Sequence, residues 1–268
     1  MKPTRRGALL AACHPAPTVA VTVLTALLSV AYGHSLRTAV PVVVAVLLGQ
    51  LTIGWSNDLI DLPRDLAVGR SDKPIARGDV SAEVVRRSIV IAGIGCVAAS
   101  FACGVPSALV HLGLGVAAGW AYNLGLKSTV WSPVPYAVAF AALPAVVTLA
   151  RAERGWPPAW AMAAGALIGV GLHLLNALPD LAEDIRAGVL GLPQRLGPRT
   201  VQAVAPLVLL AASAVVVLAP GPPVPVWAWA ALVLTAALAA FAARATGRTP
   251  FLAAIAIAAV DVGLLVGR

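Results

Sequence analysis

Charge is scarce in this chain. Of 268 residues only 11% are Asp, Glu, Lys or Arg, 60% are hydrophobic, and the mean hydropathy is +0.90. A soluble domain carries about a quarter charged residues, so a core surrounded by water is excluded and the solvent is lipid. Aromatics are also few, at 5%, and no stretch has the apolar–polar alternation of an outer-membrane barrel strand. The membrane must therefore be crossed by helices. The three cysteines, Cys13, Cys96 and Cys103, have neither disulfide nor metal spacing and read as small hydrophobes. Arg5-Arg6 before an apolar run resembles an export signal, but the run ends at Cys13-His14-Pro15 and is too short. It reads as a basic tail entering the first helix.

What is present is a series of nine apolar segments, at 15–33, 38–57, 84–103, 106–123, 131–150, 159–178, 201–219, 224–243 and 250–267. Each has roughly 18–20 residues, enough for about 27–30 Å of helix. Breaks such as Cys103-Gly104-Val105-Pro106 are tight turns, and no linker divides the chain. The expected fold is an all-α integral membrane protein, with nine transmembrane helices in a single bundle and one domain over 1–268. With the N-terminus cytoplasmic, fifteen Lys and Arg fall inside and four (Arg37, Arg151, Arg154, Arg268) outside. The positive-inside rule thus puts the C-terminus outside and accounts for most of the +8 net charge. Nucleic acid is not an expected partner.

The few acids are not scattered. Asn57, Asp58, Asp61 and Asp65 are followed by Gly69, Pro74, Gly78 and Ser81; Asn176, Asp180 and Asp184 are followed by Gly188, Pro193, Gly197 and Thr200. Each member of the second set lies 119 residues after a member of the first, so motif 57–81 is echoed at 176–200. The offset spans four helices, so both copies leave the membrane on one face, the cytoplasmic one, as in a parallel duplication. Ser81 and Thr200 are placed to cap the next helix.

Residues at i, i+4 and i+8 share one side of a helix over about 12 Å. Asn57, Asp61 and Asp65 form one such stripe, and Asn176, Asp180 and Asp184 another. Pro63 and Pro179 interrupt the helices nearby. Six of the eleven acids lie in the two motifs, and ionisable groups beside the membrane interior mark function by default. Two facing carboxylate stripes repel unless a cation lies between them, and oxygen ligands of this kind suit Mg²⁺, which also takes phosphate oxygens. Arg64, Arg70 and Lys73 stand close downstream to cover the same oxygens. Carboxylates, metal and cations above a lipid-lined cavity point to a lipid diphosphate.

On these residues the chain resembles the UbiA superfamily of intramembrane prenyltransferases. Asn57 to Asp65 match its N-D-x-x-D-x-x-x-D motif, and Asp180 and Asp184 match its second D-x-x-x-D. The resemblance implies transfer of a prenyl group from an allylic diphosphate to a small, aromatic or quinone-precursor acceptor, with Mg²⁺ assisting. It also implies metal ligands among Asn57, Asp58, Asp61, Asp65, Asp180 and Asp184, with Asp61, Asp180 and Lys127 catalytic. Asp58 stands off the stripe and has a second reading, holding a cap loop or a basic residue. Lys127 matches the Lys of a Tyr-x-x-x-Lys pattern whose Tyr position holds Asn123, with Tyr122 one place off. Arg64, Arg70, Lys73, Lys127, Asn123 and His173 are the substrate-binding candidates, His173 lying on the face of Asn176 and Asp180. His111 reads as structural. Trp55, Trp120, Tyr122, Trp131 and Tyr136 could face an allylic cation or anchor at the interface. A terpene cyclase on the same scaffold is the alternative, and a secondary transporter a more distant one.

Overall fold

The computed structural model describes residues 4–70, 72–151 and 155–266. Lys2, Arg154 and Arg268 of the charge count lie outside them. Among the described residues there is no strand. The long helices are α2 (Pro15–Ala31), α3 (Leu36–Val68), α4 (Ala82–Ala102), α5 (Val105–Leu124), α6 (Pro133–Thr148), α7 (Ala159–Ala177), α10 (Pro198–Leu218), α11 (Val226–Ala242) and α12 (Thr249–Val266). Short helices α1 (Arg5–Ala11), α8 (Leu181–Arg186) and α9 (Leu192–Leu196) flank them. Each long helix packs on the next, and α12 returns against α2, closing a ring.

Five helices, counting α7 with its extension through α8, are long and apolar enough to cross a membrane. The bent pair α1–α2 makes a sixth, and α6, α11 and α12 are shorter apolar helices. Their outward faces carry Val90, Ile91 and Ile94 on α4, Leu207 on α10 and Val233 on α11, all exposed. Apolar surface on that scale needs lipid to cover it. Hydroxyls on α2 are satisfied within the helix, Thr22 donating to the Thr18 carbonyl and Ser29 to that of Thr25, which suits a helix in lipid. The chain is a polytopic membrane protein.

The helix bounds follow the apolar segments closely, with differences at the motifs. Helix α3 does not stop at 57 but runs through Pro63 to Val68, so Asn57, Asp61 and Asp65 do share one continuous helix. Gly69, at φ 71°, ends it, and the Arg70 amide donates to the Asp65 carbonyl at 2.9 Å. The second copy ends in the same way. Gly188 is at φ 77° and the Val189 amide donates to the Asp184 carbonyl at 2.8 Å. Gly78 and Gly197 also share a left-handed φ.

The copies differ at the second proline. Pro179 sits in a 3₁₀ turn, Leu178–Asp180, that separates α7 from α8, so Asn176 and Asp184 are on different helices. A proline there costs little, because the amide it lacks would be an orphan at a new helix start. Ser81 caps α4 by accepting from the Val84 amide. Thr200 does not cap: Pro198 starts α10 two residues earlier and leaves Thr200 inside the first turn.

The N-terminal segment is not a solvated tail. Helix α1 bends by 67° into α2 at His14, and Ala8, Ala12 and Cys13 are buried against Trp55 and Val85. Trp55 donates to the Leu9 carbonyl at 2.9 Å. The contact depends on Gly54, where a Cβ would overlap the Cys13 carbonyl. Gly54→Ala is expected to lower stability by about 1–3 kcal/mol. Gly93→Ala, in a helix position with open space, is expected to be neutral or slightly stabilising. Thermal unfolding of the two variants in one detergent separates them.

Candidate active site

The two acid motifs open onto one cavity of about 530 Å³. Asn57, Asp58, Asp61 and Asp65 from α3, and Asn176, Asp180 and Asp184 from α7, the 3₁₀ turn after it and α8, line its polar end. Leu24, Phe140, Leu172 and Leu175 line the apolar remainder, together with Gly115 and Gly119. Gly115 falls in a π-helical stretch of α5, His111–Val116, a feature often found where a helix shapes a site. His111 is structural, its Nδ1 hydrogen-bonded to the Ser100 hydroxyl at 2.8 Å.

Cations from α3 itself and from outside the spans meet these acids. Gly125, at φ 155°, ends α5, and the turn that follows brings Lys127 back over the cavity. Its Nζ donates to both Asp61 oxygens at 2.6 Å. Arg64 adds an ion pair to Asp61 at 3.3 Å. Lys127 is almost fully buried. Burial pulls its ammonium below the usual range, while Asp61 pushes the other way.

The loop after α3 supplies the rest. Lys73 donates to Asp58 at 2.6 Å, and His14 Nε2 lies 2.8 Å from the same oxygen. Arg70 donates to both Asp72 oxygens at 2.8 Å and lies 3.4 Å from Glu183 on α8, tying one copy of the motif to the other. The Arg70 hydrogen bonds hold the Asp72 carboxyl down at about 2. Gln194 donates to Asp184 at 2.8 Å.

Asn123 is spent on α3. Its amide nitrogen donates to the Ile53 carbonyl at 2.8 Å and the Ser56 hydroxyl at 2.9 Å, and its oxygen accepts from Asn57 at 3.0 Å. The Asn57 amide nitrogen is thereby turned away, leaving its oxygen as the group available to the cavity. Asn123 lines the cavity, with its amide taken up by these contacts to α3.

His173 lies behind the wall, 1% exposed and absent from the cavity lining. Its Nε2 pairs with the Ser132 hydroxyl at 3.0 Å, and its ring packs on Tyr122 and Tyr136. Those two tyrosines do line the cavity. Trp55 and Trp120 are turned to Leu9 and Thr52, and Trp131 is exposed. The structure also brings in His14, Asp72 and Arg248, which the motif spacing does not reach. The signal at His14 was its position before Pro15, at the bend that starts α2.

Among the described residues no three His, Cys, Asp or Glu side chains converge as a closed metal cage. Mg²⁺ does not need one, since it usually takes one or two carboxylates, waters and phosphate oxygens. The donors present, carboxylates and one free amide oxygen across a cavity, fit that chemistry. Asp58 is the most enclosed of the motif acids, 2% exposed, with Lys73 and His14 both on its Oδ1.

An all-helical ring in lipid, with paired acids and cations over an apolar cavity, is the class that fold and site define. The chain belongs to the UbiA prenyltransferase family, whose model matches residues 18–258. A UbiA homologue from Aeropyrum pernix K1 shares the fold at TM-score 0.73 and 19% identity, over 93% of this chain and 96% of that one. A UbiA homologue from Archaeoglobus fulgidus, bound to DMAPP and Mg²⁺, does so at 0.69 and 17%, over 97% and 99%. A structure described as digeranylgeranylglyceryl phosphate synthase follows at 0.66 and 12%, over 98% and 99%. No curated protein matches the sequence.

Removing the Asp58 carboxylate strands Lys73 and His14 beside a buried site. Asp58→Ala is expected to lower stability by about 2 kcal/mol without metal present. Asp61→Ala strands Lys127 in the same way and should in addition shrink the rise in unfolding temperature that Mg²⁺ brings. Unfolding curves with and without Mg²⁺ compare them; equal metal-induced shifts in both variants would sink the division of roles.

Proposed function

We propose that this protein is a prenyltransferase that moves a prenyl group from an allylic prenyl diphosphate to a small acceptor within the membrane. The observation that carries the reading is the single cavity, acidic and cationic at one end and apolar at the other. It matches a donor with a charged head and a hydrocarbon tail. Family membership supports it, as do the Archaeoglobus fulgidus homologues bound to DMAPP or GPP with Mg²⁺.

In this reading Asn57, Asp61 and Asp65 would hold one Mg²⁺, and Asp180 and Asp184 would hold a second. The bound metal would supply Lewis-acid neutralisation of the departing diphosphate. Asp58 positions Lys73 and His14 instead. Lys127 leaves Asp61 for the diphosphate oxygens, where its charge grows in value as the bond to carbon breaks. Arg64, Arg70 and Lys73 cover the same oxygens. Leu172, Leu175 and Phe140 exclude water from the allylic cation, and Tyr122 and Tyr136 offer their rings to it. The aromatic or quinone-precursor class of the acceptor follows the family resemblance.

Nine spans, with the N-terminus and the diphosphate end cytoplasmic and the C-terminus outside, complete the proposal. The charge distribution supports it, as does the count of long, bent and short apolar helices. The repeat at 119 residues is read as a duplication within one domain over 1–268.

Purified protein with geranyl diphosphate and Mg²⁺ is expected to release diphosphate, and chelation with EDTA to stop it. Asp61→Ala and Asp180→Ala should each slow release on the order of a hundred- to a thousandfold, and full activity in both would defeat the assignment. Lys127→Met should lower kcat by a similar factor. Cyclised hydrocarbon formed without any acceptor would favour the cyclase reading, and diphosphate-independent substrate flux into vesicles the transporter.

A further inference from the structure

Going away from the acids, the lining of the main cavity ends at Leu24 on α2, Phe140 on α6, Leu172 on α7 and Phe251 on α12. The following turns of the same four helices, at Leu28, Leu143, Ile168 and Ala258, surround a second space of about 50 Å³. Among the described residues only Leu24 and Phe140 border both spaces. They are the partition between them. The space behind it is far smaller than a ligand pocket, so it holds nothing of its own and is slack beyond a wall.

That wall is held in place. A Cβ on Gly165 of α7 would overlap the Phe140 carbonyl, and one on Gly169, a turn further on, would overlap the Tyr136 carbonyl and crowd the Phe140 Cβ. Backbones in such close contact fix where α6 presents Phe140. Leu24 is buried in the same core. Along α3 the lining runs from Asp61 down to Gln50, roughly 16 Å of helix rise. An isoprene unit adds four chain bonds, roughly 5 Å when extended at ordinary bond lengths. Three units fill that depth, and a fourth meets the wall.

We propose that Phe140 and Leu24 limit the prenyl donor to three isoprene units. The inference rests on the prenyltransferase reading and names its substrate class, donors up to farnesyl diphosphate. The wall that helps to keep water from the allylic cation thus also selects the donor.

Diphosphate release by the full-length protein in detergent, with geranyl, farnesyl and geranylgeranyl diphosphate, tests this. The wild type is expected to favour farnesyl over geranylgeranyl diphosphate by at least about tenfold in kcat/KM, since a single surplus methylene in a closed apolar pocket is already worth about 10–200-fold. Phe140→Ala, which joins the two spaces, should bring that ratio to about one. Phe140→Leu and Leu24→Ala, smaller truncations that disturb the core less, should each move it the same way. Ala139→Phe, which adds a ring to the cavity lining, should instead lower the use of farnesyl relative to geranyl diphosphate. Lost packing or lost water exclusion would slow all donors alike, so a merely structural role leaves the ratios where they were. A wild-type ratio near one, as expected if the chain leaves sideways between helices, would overturn the inference and leave the prenyltransferase reading standing. So would an unchanged ratio in folded Phe140→Leu and Leu24→Ala. No release from any of the three donors by the wild type would defeat the reading itself, and the inference with it.

Discussion

Carboxylates gathered at one mouth of an apolar bundle repel one another, and the rest of this structure follows from how that repulsion is met. Lys127 sits on both oxygens of Asp61, Lys73 on Asp58, and Arg70 spans Asp72 and Glu183. None of these cations comes from within an apolar span. They are delivered by a helix that stops early at Gly125 and by the loop beyond Gly69. Water would screen such charges cheaply. At a membrane boundary the balance has to be built from side chains, which is why so many of the chain's few charged residues collect here.

The same constraint explains the turns. Both motif copies end in a left-handed glycine with a backbone hydrogen bond back to the last Asp of the motif, Asp65 or Asp184. That closure turns the chain sharply over the cavity mouth, so residues just after each helix return to its acids. In the first copy the returning residue is Lys73, and in the second Gln194, while Arg70 reaches across to Glu183 of the second copy. Gly191 allows that return. A Cβ there would overlap the Lys127 carbonyl and crowd the Ser132 hydroxyl, the group that also pairs with His173. The two mouths and the lysine turn are thus packed as one unit.

Much of the fold was legible because lipid imposes a length and a composition on every span. Segments such as 84–103 and 159–178 match α4 and α7 within about two residues. Where the chain leaves the apolar rule, legibility drops. Continuation of α3 to Val68, the helix at Arg5–Ala11 and the break at Pro179 depend on local packing, such as Gly54 against Cys13, that no hydropathy pattern carries. Thr200 had the same offset as Ser81, yet capping depends on where α10 starts, and Pro198 moved that start.

For the site, the sequence alone determined which acids belong together, because Asn57, Asp61 and Asp65 and their echoes at 119 residues obey helical spacing. Only the tertiary structure decided what each polar group faces. It turned His173 behind the tyrosines, and committed Asn123 to Asn57 and Asp58 to Lys73 and His14. The reason is physical: spacing fixes a residue's place around one helix, whereas a hydrogen-bond partner comes from another helix or a loop. Those contacts exist only once the ring has closed.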